Sequence, residues 1–156
     1  MAPEQPELLK DLGAKDVQQI LAIGTRIALR SGASLFQLGD PAERLFLIER
    51  GRIRLTLPMQ VRGRQEDVVV EERTAGQTVG WSALIPPHRF TLAATAPLDT
   101  ELIALPREEL RRYFAAHPTV GYQITLNLAV VIGHRLQLFQ AMWLREMQRT
   151  VEKHSA

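Results

Sequence analysis

Leu45-Phe46-Leu47-Ile48-Glu49-Arg50-Gly51-Arg52-Ile53-Arg54-Leu55-Thr56-Leu57 decides the fold class. Two runs flank Arg50-Gly51, and from Arg52 to Leu57 polar and apolar residues alternate strictly. Side chains alternate across a strand with period two, so the second run reads as the half-buried strand of a hairpin. Upstream, Thr25 to Leu29 and Ser34 to Leu38 read as strands around the turn Ser31-Gly32, and Gly39-Asp40-Pro41 is a further turn. Downstream, a polar loop is expected from Gln60 to Asp67. Strands follow over Val68–Glu72, Phe90–Ala96 and Thr100–Leu105, with Gly76 and Pro97 at turns. Short strands at this spacing predict a β-sandwich or small barrel.

Helical periodicity brackets the strands. The first seven residues read as a frayed tail. Leu8, Leu9, Leu12, Val17, Ile20 and Leu21 fit short amphipathic helices broken at Gly13. After Pro106, Leu110, Tyr113 and Phe114 share one face of a helix that His117-Pro118 ends. A longer helix runs from Pro118 to about Val151. The expected architecture is mainly β with flanking helices. It is a single domain over residues 1–156, with a β-roll at about 25–105 and C-terminal helices at about 107–151.

Composition narrows the function classes. The chain has 156 residues, 46% hydrophobic and 23% charged, with a net charge of +2. Its 19 basic residues, only three of them lysine, are interleaved with carboxylates. No block of like charge marks a nucleic-acid or membrane surface. The absence of cysteine excludes disulfides, thiolate zinc sites and cysteine nucleophiles. The acidic N-terminus is not a signal peptide, and no apolar stretch is long enough to span a bilayer. A cytoplasmic location is the default expectation. His88, His117, His134 and His154 show no ligand-cluster spacing. Neither a Ser/His/Asp set nor a nucleotide-phosphate loop is present, so no enzyme, metal or cofactor is expected.

One segment carries ligand-binding character. In Gly80-Trp81-Ser82-Ala83-Leu84-Ile85-Pro86-Pro87-His88-Arg89-Phe90, a glycine enters a short helical turn whose first residues are small. Free backbone N–H groups at such a turn form a cradle for an anion. The long helix carries two apolar stripes. Ile124, Leu128, Val131, Leu138 and Met142 form one; Ile132, Leu136, Phe139, Trp143 and Met147 form the other. One stripe suffices for a helix lying on its own roll, so the second predicts a partner.

The ordered set Gly32-x-x-Leu35-Phe36-x-x-Gly39-Asp40-x-Ala42-Glu43-x-Leu45-Phe46-Leu47-Ile48-x-x-Gly51, Gly80-x-x-Ala83-Leu84, the Thr-x-Ala ending at Ala96, and Phe114-x-x-His117-Pro118 resembles the cyclic-nucleotide-binding domain family, the sensory half of Crp/Fnr-type regulators. The resemblance implies a double-stranded β-helix of jelly-roll or cupin-like type. It also implies a phosphate-binding cassette that holds a cyclic nucleotide through backbone N–H groups, a Glu on the ribose and an Arg on the phosphate. Gly80, Ala83 and Leu84 match that cassette. Trp81 stands at the Glu position and Phe90 at the Arg position, with Arg89 one residue earlier.

These departures lead to the expectation of a non-catalytic sensor with a degenerate cassette that takes a different small ligand or none. The alternative is a genuine cAMP or cGMP receptor that uses Arg89. A cupin-type enzyme is a third reading, and the missing histidine and carboxylate ligands argue against it. Trp81 and Phe90 either line a pocket for a planar ligand or fill the nucleotide's volume. Arg89 either holds an anion with the N–H groups of Ser82, Ala83 and Leu84 or is a solvated strand end. The resemblance further implies a parallel homodimer along Ile132, Leu136, Phe139, Trp143 and Met147. The chain ends without room for a helix-turn-helix, so direct DNA binding is not expected.

Overall fold

Eight strands form two antiparallel four-stranded sheets in the computed structural model, which describes residues 5–155. The strands are β1 Thr25–Leu29, β2 Ser34–Phe36, β3 Arg44–Arg50, β4 Arg52–Val61, β5 Arg64–Thr74, β6 Thr78–Val79, β7 Ala93–Thr95 and β8 Thr100–Pro106. One sheet has the order β1-β8-β3-β6, the other β2-β7-β4-β5. Helix α1 is Ala14–Ile23, α2 is Arg107–Ala116 and α3 is Pro118–Ser155. This is a β-roll followed by a long C-terminal helix.

The opening stretch folds as two strands that are not partners of one hairpin. β3 pairs with β8 and β6, whereas β4 pairs with β5 and β7. Gly51 carries the chain from one sheet to the other at φ +94, where a Cβ would meet the Asp99 carbonyl at 2.6 Å. Local alternation reports a strand's faces but not its partner. The two burial patterns differ for the same reason. Leu45 to Ile48 are all buried because β3 is covered on both faces, while β4 alternates from Arg52 to Leu55, after which a register shift against β5 leaves Thr56 buried as well.

Three further expectations are corrected. Gln60 to Asp67 is no loop: β4 and β5 stay paired out to Val61 and Arg64, joined by Arg62-Gly63. Both turn residues have positive φ, the geometry of a tight two-residue hairpin turn. This end of the ribbon is exposed along both strands, so its polar residues give no alternation. The strand expected over Phe90–Ala96 is reduced to Ala93–Thr95. Glu7 is not part of a frayed tail. It opens a 3-10 turn, Glu7–Leu9, whose Leu8 and Leu9 are buried. Residues 1–4 and Ala156 lie outside the described residues.

The core runs through Leu45, Leu47, Ile53, Leu102 and Leu105 inside and beneath the roll. It continues outward through Ile20, Leu110, Ile124 and Leu128, which seat the helices. α2 ends at Ala116 with His117 as its cap. Pro118 then starts α3, where its missing N–H costs nothing. At 38 residues α3 is about 57 Å long, well beyond the roll it lies on.

Candidate functional site

β6 ends at Gly80, which enters the cassette turn at φ +83. A Cβ there would stand 3.2 Å from a ring carbon of Phe90 and 3.3 Å from Phe46, so glycine is required by both conformation and space. Trp81–Ala83 then forms one 3-10 turn. Its geometry uses part of the expected anion cradle. Ala83 N–H donates to the Gly80 carbonyl at 3.1 Å, and Leu84 N–H donates to Trp81 at 3.0 Å. Ser82 is buried within this turn, whose N-cap is Gly80.

Phe90 points into the roll and is buried. Its backbone is pinned to the turn before β3: its N–H donates to the Asp40 carbonyl at 3.0 Å, and its carbonyl accepts from Gly39 N–H at 2.8 Å. The ring stacks on Phe36 at 3.7 Å between centroids, and Phe36 faces Phe46 at 6.1 Å. The space left among Phe36, Leu55, Gly80, Trp81, Phe90 and Leu92 is about 10 Å³. Arg89, held by an isolated bridge to Pro41, does not share the burial of Phe90. It is exposed, and its guanidinium donates to the Gly39 carbonyl at 2.9 Å.

Trp81 is half-buried and faces α3. With Leu57, Leu92, Ile132, Leu136 and Phe139 it lines an open, mostly apolar cleft of 290 Å³. Arg135, from α3, stands at the edge of this cleft and of the small cavity beside Phe90.

The Arg135 side chain is 8% exposed, and its Nε donates to Glu71 at 2.5 Å. Glu71 also accepts from Arg73 Nη1 at 2.9 Å. Arg73 in turn pairs with Glu7 and donates to the Thr78 carbonyl. Four alternating charges thus tie the N-terminal turn, β5 and α3 together with no net charge. Nothing in the sequence reading singled out this chain. One signal was available: Arg135 sits in the register of Leu128, Val131 and Leu138, where the first apolar stripe skips a position.

The two stripes of α3 have different fates. Ile124, Leu128 and Val131 are buried against the roll. In the second stripe Ile132 is half-buried, while Leu136 (58%), Phe139 (37%), Trp143 (62%) and Met147 (44%) are exposed. Of the histidines, His117 stacks on Tyr113 and His134 is exposed. Among the described residues no group of three His, Cys, Asp or Glu is placed to hold a metal. No helix among them is long and apolar enough to cross a membrane.

Comparison with known proteins follows from this geometry. The family model described as Cyclic nucleotide-binding domain matches residues 26–117. The chain is 32% identical over 133 residues to Glutaminase 1 of Bradyrhizobium diazoefficiens, covering 85% of this chain but 20% of the glutaminase. It is 27% identical over 130 residues to the Cyclic AMP receptor protein of Thermus thermophilus, covering 83% of this chain and 57% of that protein. Among solved structures, the Thermus thermophilus Catabolite Activator Protein superposes with a TM-score of 0.73 at 25% identity, covering 91% of this chain and 63% of the other.

Proposed function

The chain belongs to the cyclic nucleotide-binding domain family, and from that premise we propose that it is a non-catalytic regulatory module with a closed roll. In this reading cAMP and cGMP do not enter the roll interior. The observation that carries it is the Phe90–Phe36 stack, which leaves about 10 Å³ where a ligand would sit. Small-molecule sites usually offer about 300–1,000 Å³. The side-chain chemistry agrees. Trp81 replaces the carboxylate, and Arg89 is turned outward onto Gly39. Losing desolvated charged contacts of this kind costs about 2–5 kcal/mol each, enough to abolish micromolar binding.

The module acts as a cytoplasmic homodimer through α3. A second copy of the helix would cover Leu136, Phe139, Trp143 and Met147, which otherwise stand in water. A small effector other than a cyclic nucleotide has room beside Trp81, in the open cleft against α3. Its binding would shift the packing of α3 and so the state of the dimer.

Calorimetric titration with cAMP and cGMP tests the closed roll. The expected result is no saturable heat at millimolar nucleotide. Micromolar binding that disappears in Arg89→Ala would replace this reading with a nucleotide receptor that uses Arg89.

A further inference from the structure

A second cleft of 270 Å³ opens outside the roll, between the exit of the cassette turn, α2 and α3. Leu84, Ile85 and Leu128 give it apolar walls, and His88, Arg107 and Arg111 give it nitrogen-bearing groups. No carboxylate lines it. Apolar walls with a few convergent polar groups are the usual constitution of a small-molecule site. Here the two charged groups are both cations.

Arg107 is incompletely satisfied, whereas Arg111 is exposed to solvent. Arg107 Nη1 donates to the Ala42 carbonyl at 2.7 Å and reaches Ala83 at 3.5 Å. Its Nε is buried with no acceptor, and the Glu108 carboxylate is no nearer than 3.8 Å. Arg111 lies one turn further along α2. Among the described residues it has no carboxylate within 4.0 Å. Two like charges at this helical spacing repel each other unless a counter-charge lies between them. His88 Nδ1 faces the Ser82 carbonyl at 3.3 Å, so that ring is held in place beside the arginines.

We infer that this cleft binds a small amphipathic organic anion. Its phosphate or carboxylate head lies between Arg107 and Arg111, and its apolar body lies against Leu84, Ile85 and Leu128. The guanidinium fork suits the planar or tetrahedral oxygens of such a head. Occupation joins the cassette, α2 and α3 in their present packing, so the anion stabilises this state over any other. The site is independent of the roll interior and stands whether or not a nucleotide enters there.

Amide chemical-shift titrations test it, with phenyl phosphate, phenylacetate, inorganic phosphate and neutral benzyl alcohol as probes. Phenyl phosphate and phenylacetate should shift Leu84, Ile85, His88, Arg111 and Leu128, and benzyl alcohol should leave them unmoved. Arg111→Gln should weaken phenyl phosphate about tenfold, the effect of losing one charge-assisted contact, and Arg111→Lys should recover only part of that loss, because an ammonium keeps the charge but not the fork. Arg111 is the chosen position because Arg107 holds two backbone carbonyls and its loss would disturb the fold. Silent cleft amides at millimolar probe, equal binding of benzyl alcohol, or full affinity in Arg111→Gln would each overturn the site. Inorganic phosphate binding as tightly as phenyl phosphate would overturn the role of the apolar wall. Shifts at Phe36, Leu55 and Phe90 on adding cAMP would instead overturn the closed roll and leave this inference untouched.

Discussion

Phe90 lies face to face with Phe36, ring centroids 3.7 Å apart and planes 8° from parallel. The contact joins the last residue of the cassette segment to the end of β2 across the roll interior. Phe90 is thus a core residue.

Replacing Phe90 with Ala should lower stability by about 3–5 kcal/mol, the range for emptying a buried phenyl site. Urea unfolding measures it. A double-mutant cycle with Phe36→Leu should give a coupling of about 0.5–1.5 kcal/mol. Additive losses would mean that the two rings are merely adjacent.

Arg135 and Glu71 are both largely buried. Glu71→Ala should therefore cost about 3–5 kcal/mol, because it strands a buried guanidinium. The paired change Glu71→Leu with Arg135→Met should recover most of that loss. A single-variant loss below about 1 kcal/mol, the range of surface pairs, would show that water screens the link.

If α3 pairs with a second copy, Phe139→Glu combined with Trp143→Glu should convert a particle of two chain masses into one of a single chain mass. Sedimentation equilibrium reads this directly. The circular dichroism of the roll should not change, since both side chains are exposed in the single chain.

Tyr113 offers a test at high pH. Its hydroxyl is pushed up to about 12, first by burial and then by donation to Asp16 at 2.8 Å. Unfolding restores the ordinary value near 10. The unfolded chain therefore loses this proton first, so the contribution is intact below about pH 10 and is lost as pH rises toward 12. Absorbance at tyrosinate wavelengths should show one late step. Tyr113→Phe should remove that step and Asp16→Asn should lower it; a single ordinary transition for both tyrosines would exclude the shift.

Strand positions were legible wherever one face is wetter than the other, as from Arg52 to Leu55; the register shift that buries Thr56 beside Leu55 left no mark in the sequence. They were illegible where both faces are wet, as in the ribbon on either side of Arg62-Gly63. Sheet membership was not legible at all: nothing in Leu45–Leu57 says that Gly51 changes sheets. In the site, Arg89 is exposed and Phe90 is buried, but neither lies in β7, so strand alternation is not what sets them apart. The Arg135–Glu71–Arg73–Glu7 chain was out of reach because its members are up to 128 residues apart, from Glu7 to Arg135, and each alone looks like a surface charge.

Asn127 of α3 donates to the Leu8 and Lys10 carbonyls, both at 2.8 Å and across more than a hundred residues of sequence. The 3-10 turn and the middle of the helix are thus clasped together at Asn127 and again through Glu7, Arg73, Glu71 and Arg135. Any lever motion of α3 relative to the strands must carry residues 7–10 with it or break both clasps. Among the described residues the part of α3 beyond Arg135 has no such clasp, so any swing of α3 against the strands is least restrained past that boundary.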